Sequence, residues 1–371
     1  MSFSSFVSIN NPSTYSHIMT YSPLQIRSAK RHYSDSGPLV RNIQDHLIPA
    51  LSGKPFDKGR LLPSCLLIVD QIAEVRRIYN GLDTSKTSHS GALADALVKL
   101  YAIQREVSLS SGAYLSIDPF APIPLRFSSA IFAVCDVSYR GFCRPVLLIE
   151  PPPIGITSVA ESSGISIAIY RKRLPDFMTN PSDQLAVRSL TLPLTTAEDG
   201  YFAGSSKDAL RALEDWGVDL TLFAHYAIHE MRHNLNFGSN TTLYSLSNGD
   251  SVSSVFRLRN RITHYSSFDE STAYLAMVVD GPNVLLPLLR MLTLINSRGF
   301  KSSHREGSIL ALEQLCSLLG INDDLGDEPV QDQLLDCFSG LSPATLRTMT
   351  AAALRSMYYD SYLIDSSNTF D

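Results

Sequence analysis

An amphipathic helical pattern over residues 219–236 constrains the fold of this 371-residue chain more than any other feature. At 100° per residue its apolar side chains share one narrow sector: Leu220, Ala224, Ala227, Met231 and Leu235. His229 and His233 lie almost opposite that sector, one helical turn apart. The apolar stripe must be covered by another layer of the protein. The histidine face fits either a surface helix or the wall of a cleft.

Residues 229–233 read HEMRH, which is an HExxH pattern. Two imidazoles one turn apart on a helix can reach the same metal ion, and Zn²⁺ favours such ligands. Glu230 points about 100° away from His229, toward the side where it would hold a metal-bound water. The pattern also arises by chance on ordinary helices, so a third ligand is the better discriminator.

Glu270 is the favoured third ligand, because it lies 37 residues after His233 at the start of a predicted helix, FDESTAYLAM. His264 and Tyr265 are its rivals. Asp269 can accept the free N–H of a ligand imidazole, but a carboxylate that opens a helix is the simpler interpretation. His225 would close the position that catalysis needs open, so we expect it to support or pack the site.

Taken together, these motifs resemble the gluzincin class of HExxH zinc metallopeptidases. The metzincin pattern does not fit, because Asn236 and Ser239 stand where that class has Gly and His. Arg355 and Tyr358 add a distal RxxY on the last predicted helix. This layout is similar to that of clostridial neurotoxin light chains and of bacterial type III effector proteases. The resemblance rests on motif spacing between residues 229 and 358, not on continuous sequence.

The resemblance implies a role for each matching residue. His229, His233 and Glu270 would bind Zn²⁺, whose bound water becomes the nucleophile. Glu230 would take the proton of that water and pass it to the leaving amine. Arg355 and Tyr358 would donate to the oxyanion. An ion pair for Arg355 and a core position for Tyr358 are equally acceptable interpretations.

The hydrophobic patterns predict an α+β fold in one zincin-like domain over residues 38–371. Residues 38–113 are expected to be helical, and residues 114–204 to form a small mixed or antiparallel sheet that packs on the HExxH helix. Residues 205–371 are predicted to be helical again and to carry the zinc site. The segment VRSLTLPL (187–194) is the candidate edge strand for pairing with an extended substrate. The helical stretch 38–110 is a candidate cover for the cleft.

Residues 1–37 are expected to be a leader, because the first acidic residue of the chain is Asp35 and Ser is frequent. A disordered tail, an organelle transit peptide and a type III secretion leader, with a secretion chaperone as partner, all fit this composition. The five cysteines form no CxxC pair, which favours a reducing compartment such as a host cytosol. A net charge of −5 argues against nucleic acid, and no apolar run predicts a membrane span.

The sequence therefore predicts a zinc-dependent endopeptidase that acts on a protein, for which a host protein is one option. A non-catalytic α+β interaction protein with a structural or vestigial metal site is the main alternative. A zinc hydrolase of another bond, such as an amidase, is the third.

Overall fold

A computed structural model describes the helices and strands of the protein and part of the connections between them. The described residues are 22–33, 37–81, 88–122, 124–127, 130–150, 159–162, 166–177, 201–246, 262–296, 303–321, 325 and 328–367. Residues 1–21 of the predicted leader and the predicted strand at 187–194 lie outside them.

A mixed five-stranded sheet occupies the middle of the fold, as the sequence predicted. With strands numbered in chain order, it contains β1 (Gln25–Arg31), β4 (Ile131–Tyr139), β5 (Phe142–Ile149), β6 (Ala160–Ser162) and β7 (Ile167–Tyr170). Their order is β1-β4-β5-β7-β6, with β5 and β7 parallel and every other pair antiparallel. The β4–β5 hairpin turns at Arg140 and Gly141, both with positive φ, as tight two-residue hairpins require.

Strand β1 corrects the sequence analysis, which assigned its residues to the leader. It pairs antiparallel with β4 and buries Ile26 in the core. The backbone N–H of Ile26 donates to Ser205 Oγ at 3.0 Å, and the next residue, Ser206, caps the helix that begins at Lys207. The first strand of the sheet therefore begins at least twelve residues before the domain boundary predicted between residues 37 and 38.

The N-terminal helices form a second core. They are α1 (Gly37–Asn42), a π-helical turn (Ile43–Leu47), α2 (Ile48–Leu51), α3 (Pro63–Asn80) and α4 (Ser88–Ser111). Side chains such as Ile68, Ile72 and Leu100 pack there against a hairpin of β2 (Leu115–Ile117) and β3 (Leu125–Phe127). Among the described residues of the segment 38–113, the regular elements are helices.

From residue 207 onward the described residues are mainly helical, as predicted, and form α5 (Lys207–Asp215), α6 (Leu220–Leu246), α7 (Ile262–Asp280), α8 (Leu285–Asn296), α9 (Ser303–Leu319), α10 (Glu328–Gly340) and α11 (Pro343–Ser367). Ser342 caps α11, since its Oγ accepts from Thr345 N at 3.1 Å. Among the described helices, none combines the length and hydropathy that a membrane span requires.

Helix α6 is the central helix of the larger core. Its Phe223, Ala227 and Met231 are fully buried in one apolar cluster with residues of the sheet, including Val137 and Ile169. Every residue from Leu220 to Met231 is buried, so the histidine face is covered as well as the apolar stripe. The sequence left two settings open for the histidine face, a surface helix or the wall of a cleft. The structure excludes the surface helix, because this face of α6 lies inside the protein.

Candidate metal centre

The HExxH side chains lie inside the protein, on the third turn of α6 and just beyond it. His229 and Glu230 are 5% and 6% exposed, and the side chain of His233 is 15% exposed. The imidazole centroids of His229 and His233 are 4.7 Å apart. The two rings therefore face a shared space between α6 and the helix that packs on it, α7.

Helix α7 brings Glu270 into that space. Its Oε2 atom lies 3.2 Å from His229 Nε2 and 3.9 Å from His233 Nε2. The three predicted metal ligands are thus brought together, although 37 residues separate Glu270 from His233. Helix α7 begins at Ile262, so Glu270 lies in its interior. The sequence analysis had placed Glu270 at the start of this helix.

Asp269 contacts the ring edge of His233 that faces away from Glu270. Its Oδ2 lies 2.7 Å from His233 Nδ1. Donation from Nδ1 to this carboxylate leaves Nε2 free as a metal ligand and fixes the ring orientation. The interpretation of Asp269 as a helix-start carboxylate is wrong, because Asp269 is seven residues beyond the first residue of α7.

His304, at the start of α9, is a fourth metal-type side chain at the site, which the sequence analysis missed. Its Nδ1 lies 2.8 Å from Glu270 Oε2 and 3.3 Å from the hydroxyl of Tyr274, which is itself buried against the ring of His229. Two triads of ligand atoms result, one of His229, Glu270 and His304 and one of His229, Glu230 and His233. In each, the atoms lie within 4.8 Å of one another.

Burial and mutual contacts set the charge states of the site. Burial lowers the pKa of His229 to about 4, which keeps its lone pair free for a metal. Burial disfavours the charged form of Glu270 as well, but contacts with His229, His304 and His233 outweigh it and hold its pKa well below the usual value. Burial raises the pKa of Glu230 to about 7. The carboxylates of Asp269, Glu270 and Glu230 raise the pKa of His233 despite its burial.

A metal ion fits this set of donors. Glu270 Oε2 is buried, and among the described residues no donor is aligned with it for a hydrogen bond, despite imidazole nitrogens at 2.8 and 3.2 Å. Two ligand atoms at the usual Zn–N and Zn–O distances in a tetrahedron are about 3.3 Å apart. Imidazole nitrogens and a carboxylate oxygen are also the donors that Zn²⁺ prefers. His229 lacks one feature that is common in metal-bound histidines, a hydrogen-bond partner for the second ring nitrogen. Its Nδ1 is buried and has no such partner among the described residues.

His225 has a packing role in the structure. It is fully buried, and its Nε2 accepts from the backbone N–H of Asn283 at 3.3 Å. The side chains of His264 and Tyr265, the rival third ligands, lie outside the described residues. So does the side chain of Tyr358.

The segment that carries Arg355 lies beside the helix of Glu270. Ser271 Oγ donates to Met357 Sδ at 3.8 Å, and Ser356 Oγ donates to Gln314 Oε1 on α9 at 3.1 Å. Arg355 itself is half-buried on α11. The last helix thus packs against both α7 and α9, but the predicted oxyanion roles of Arg355 and Tyr358 stay predictions.

The sheet reaches the site at β6. Asn234, the residue after the motif, donates from Nδ2 to Ser162 Oγ at 2.8 Å and to the carbonyl of Glu230 at 3.0 Å. Strand β6 stands at the edge of the sheet and is paired with β7 on its other side. The HExxH helix is therefore tied to an edge strand, although not to the strand that the sequence proposed.

No protein-family model matches this sequence, and no curated protein or solved structure is significantly similar to it. The function is therefore argued from the site itself.

Proposed function

We propose that this chain is a zinc-dependent endopeptidase of the gluzincin type, with zincin-like packing of α6 against the sheet and α7. One observation carries the proposal. His229 Nε2 and His233 Nε2 approach Oε2 of Glu270 to 3.2 and 3.9 Å in a buried cluster that also contains Glu230. A chance HExxH on a helix does not require a distant carboxylate to meet both imidazoles.

The residues divide the work between binding and proton transfer. Zn²⁺ bound there would lower the pKa of a water and polarise a substrate carbonyl. Glu230 would accept the proton of the attacking water and return it to the leaving amine. Glu230 is buried next to both motif imidazoles, where its carboxylate can accept and return that proton. Asp269 would hold the His233 ring in the tautomer that presents Nε2.

The substrate class follows from the sheet edge. An extended peptide that adds to β6 would lie beside Asn234 and Glu230, since Ser162 contacts Asn234 directly. Backbone pairing of this kind gives affinity for a polypeptide with little dependence on its side chains. We therefore favour a protein substrate over a small amide.

The compartment is also a proposal. All five cysteines are free thiols, which is typical of a reducing compartment such as a cytosol. Entry into a host cell by a non-Sec route, the alternative of organelle targeting, and a secretion chaperone for the leader remain predictions from composition.

Elemental analysis of the wild-type protein beside His229→Ala and Glu270→Ala tests the metal site. We expect about one zinc per chain in the wild type and a loss of zinc in both variants. Zinc lost only in His229→Ala would exclude Glu270 as a ligand. No zinc after reconstitution would leave a non-catalytic interaction protein.

A scan of peptide and protein substrates with the wild type and Glu230→Gln tests the activity. Cleavage of peptide bonds by the wild type alone, with equal zinc in both proteins, is the expected result. Hydrolysis confined to small amides would favour an amidase.

A further inference from the structure

His304 stands closer to Glu270 than either motif histidine does. Its Nδ1 is 2.8 Å from Glu270 Oε2, against 3.2 Å for His229 Nε2 and 3.9 Å for His233 Nε2. The ring also stacks near that of His229, with centroids 6.3 Å apart and planes 29° apart. Nitrogens of three imidazoles thus lie within 4 Å of the same carboxylate oxygen.

The contact between His304 and Glu270 is not a well-aligned hydrogen bond. Glu270 Oε2 has no aligned donor among the described residues, although His304 Nδ1 is within 2.8 Å. Two atoms that bind one metal ion also approach each other closely with no hydrogen between them, because each directs a lone pair at the ion. His229, Glu270 and His304 also satisfy the spacing of a metal triad on their own.

Helix α9 holds His304 in this place. Gly307, one turn further along, packs so tightly on α7 that an added Cβ would lie 2.5 Å from Glu270 Cβ. Ser267 Oγ on α7 donates to Glu306 Oε2 on α9 at 2.6 Å. The backbone that follows His304 is therefore held against α7 at Glu306 and Gly307.

Exposure separates His304 from the other three side chains. The side chain of His304 is 49% exposed, against 6%, 15% and 12% for His229, His233 and Glu270. Among the four, His304 is the most exposed to solvent, so its departure would disturb the core least.

We propose that His304 Nδ1 is a fourth protein ligand of the metal in the resting protein, and that this histidine leaves when substrate enters. The inference rests on the proposed function and concerns regulation of the same site. Four protein ligands close the coordination position that catalysis needs, so the resting protein is self-blocked. Departure of His304 exchanges one nitrogen ligand for one oxygen ligand, from water or substrate, and leaves the other three in place.

The metal-bound nitrogen of His304 gives the inference a specific signature. His304 would bind through Nδ1, whereas His229 and His233 present Nε2. NMR of the zinc-loaded, ¹⁵N-histidine-labelled full chain distinguishes the two nitrogens. We expect one histidine with a metal-bound Nδ1 in the wild type, absent in His304→Ala and retained in the control His46→Ala.

Binding of a small hydroxamate, measured by calorimetry on the zinc-loaded proteins, reports whether the position is closed. If the closed state holds about 90% of the wild type, removal of His304 tightens hydroxamate binding by about tenfold. His46→Ala should bind it like the wild type.

The outcomes separate this inference from the proposed function. Zinc bound with no Nδ1-coordinated histidine in the wild type, or equal hydroxamate affinity in wild type and His304→Ala, would overturn the inference and leave the peptidase proposal standing. No zinc in the wild type would overturn both. The wild-type spectrum decides the ligand question even if His304→Ala does not fold.

Discussion

Gly307 lies directly against Glu270, with no room for a side chain between α9 and α7. A Cβ atom at position 307 would stand 2.5 Å from Glu270 Cβ and 2.8 Å from the carbonyl oxygen of Ser267. Neither neighbour is the free end of a flexible side chain, so the helices would have to separate. The glycine therefore sets the distance at which α9 brings His304 to the carboxylate of Glu270.

Gly307→Ala should weaken both the fold and the metal site. The added methyl group forces α9 away from α7, and overpacking of this kind typically costs about 1–3 kcal/mol of unfolding free energy. We expect a lower urea midpoint and weaker zinc binding in competition with a chelating dye. Gly340→Ala is the matched control, because a Cβ there would meet nothing within 4 Å. Equal zinc affinity in wild type and Gly307→Ala would contradict this account of the packing.

Glu230→Gln should remove activity and leave zinc in place. The amide keeps the size of the side chain but cannot accept the proton of the attacking water. Loss of a general base typically reduces the rate by about 10²–10⁴-fold. The measurement is kcat on a peptide substrate, with zinc content and circular dichroism as checks. Glu313→Gln, on the exposed side of α9, should keep full activity. Substantial turnover by Glu230→Gln would exclude this residue as the base.

The sequence predicted the motif residues and the α+β class because their signals are local. Helical spacing places His229, Glu230 and His233 without reference to the rest of the chain. Glu270 was found because only four glutamates follow His233 and Glu270 is the first of them. His304 was missed because its place depends on how α9 packs on α7, which Gly307 decides and which no short pattern records. The small residues Gly307 and Ser308, one turn after His304, were the available signal.

Strands β1 and β6 were missed for a related reason. Strand β1 is seven residues long, with two basic side chains at its exposed end, so it resembles the polar leader before it. Strand β6 has only three residues and no apolar alternation. Strand β1 forms by pairing with β4, which is distant in sequence. Strand β6 forms by pairing with β7, which follows it after a connection. Tertiary pairing overrides weak local preference at such edges.

Asp269→Ala should weaken zinc binding although every proposed metal ligand is kept. Asp269 Oδ2 accepts from His233 Nδ1, and loss of such a partner typically costs about 10–100-fold in metal affinity. Competition with a chelating dye measures the effect. Asp215→Ala, exposed on α5, should bind zinc like the wild type. Unchanged affinity in Asp269→Ala would show that the contact does not support the ligand.

His225→Gln should reduce the dependence of stability on pH. Burial, reinforced by Arg347, lowers the pKa of His225 to about 3 in the fold, whereas an unfolded histidine titrates near 6.5. Between these values the unfolded chain binds the extra proton, so acid favours unfolding. Stability should fall with decreasing pH by as much as about 1.4 kcal/mol per pH unit from this residue alone.

Urea unfolding of both metal-free proteins at pH 5, 6 and 7 isolates the effect of His225. Gln can keep an acceptor near the backbone N–H of Asn283, which His225 Nε2 now serves at 3.3 Å, but it does not titrate. Other groups contribute to the slope in both proteins and cancel in the difference. The variant should therefore lose less stability than the wild type between pH 7 and pH 5. Identical slopes would mean that His225 becomes protonated in the folded protein, against its complete burial between α6 and the turn at Gly281.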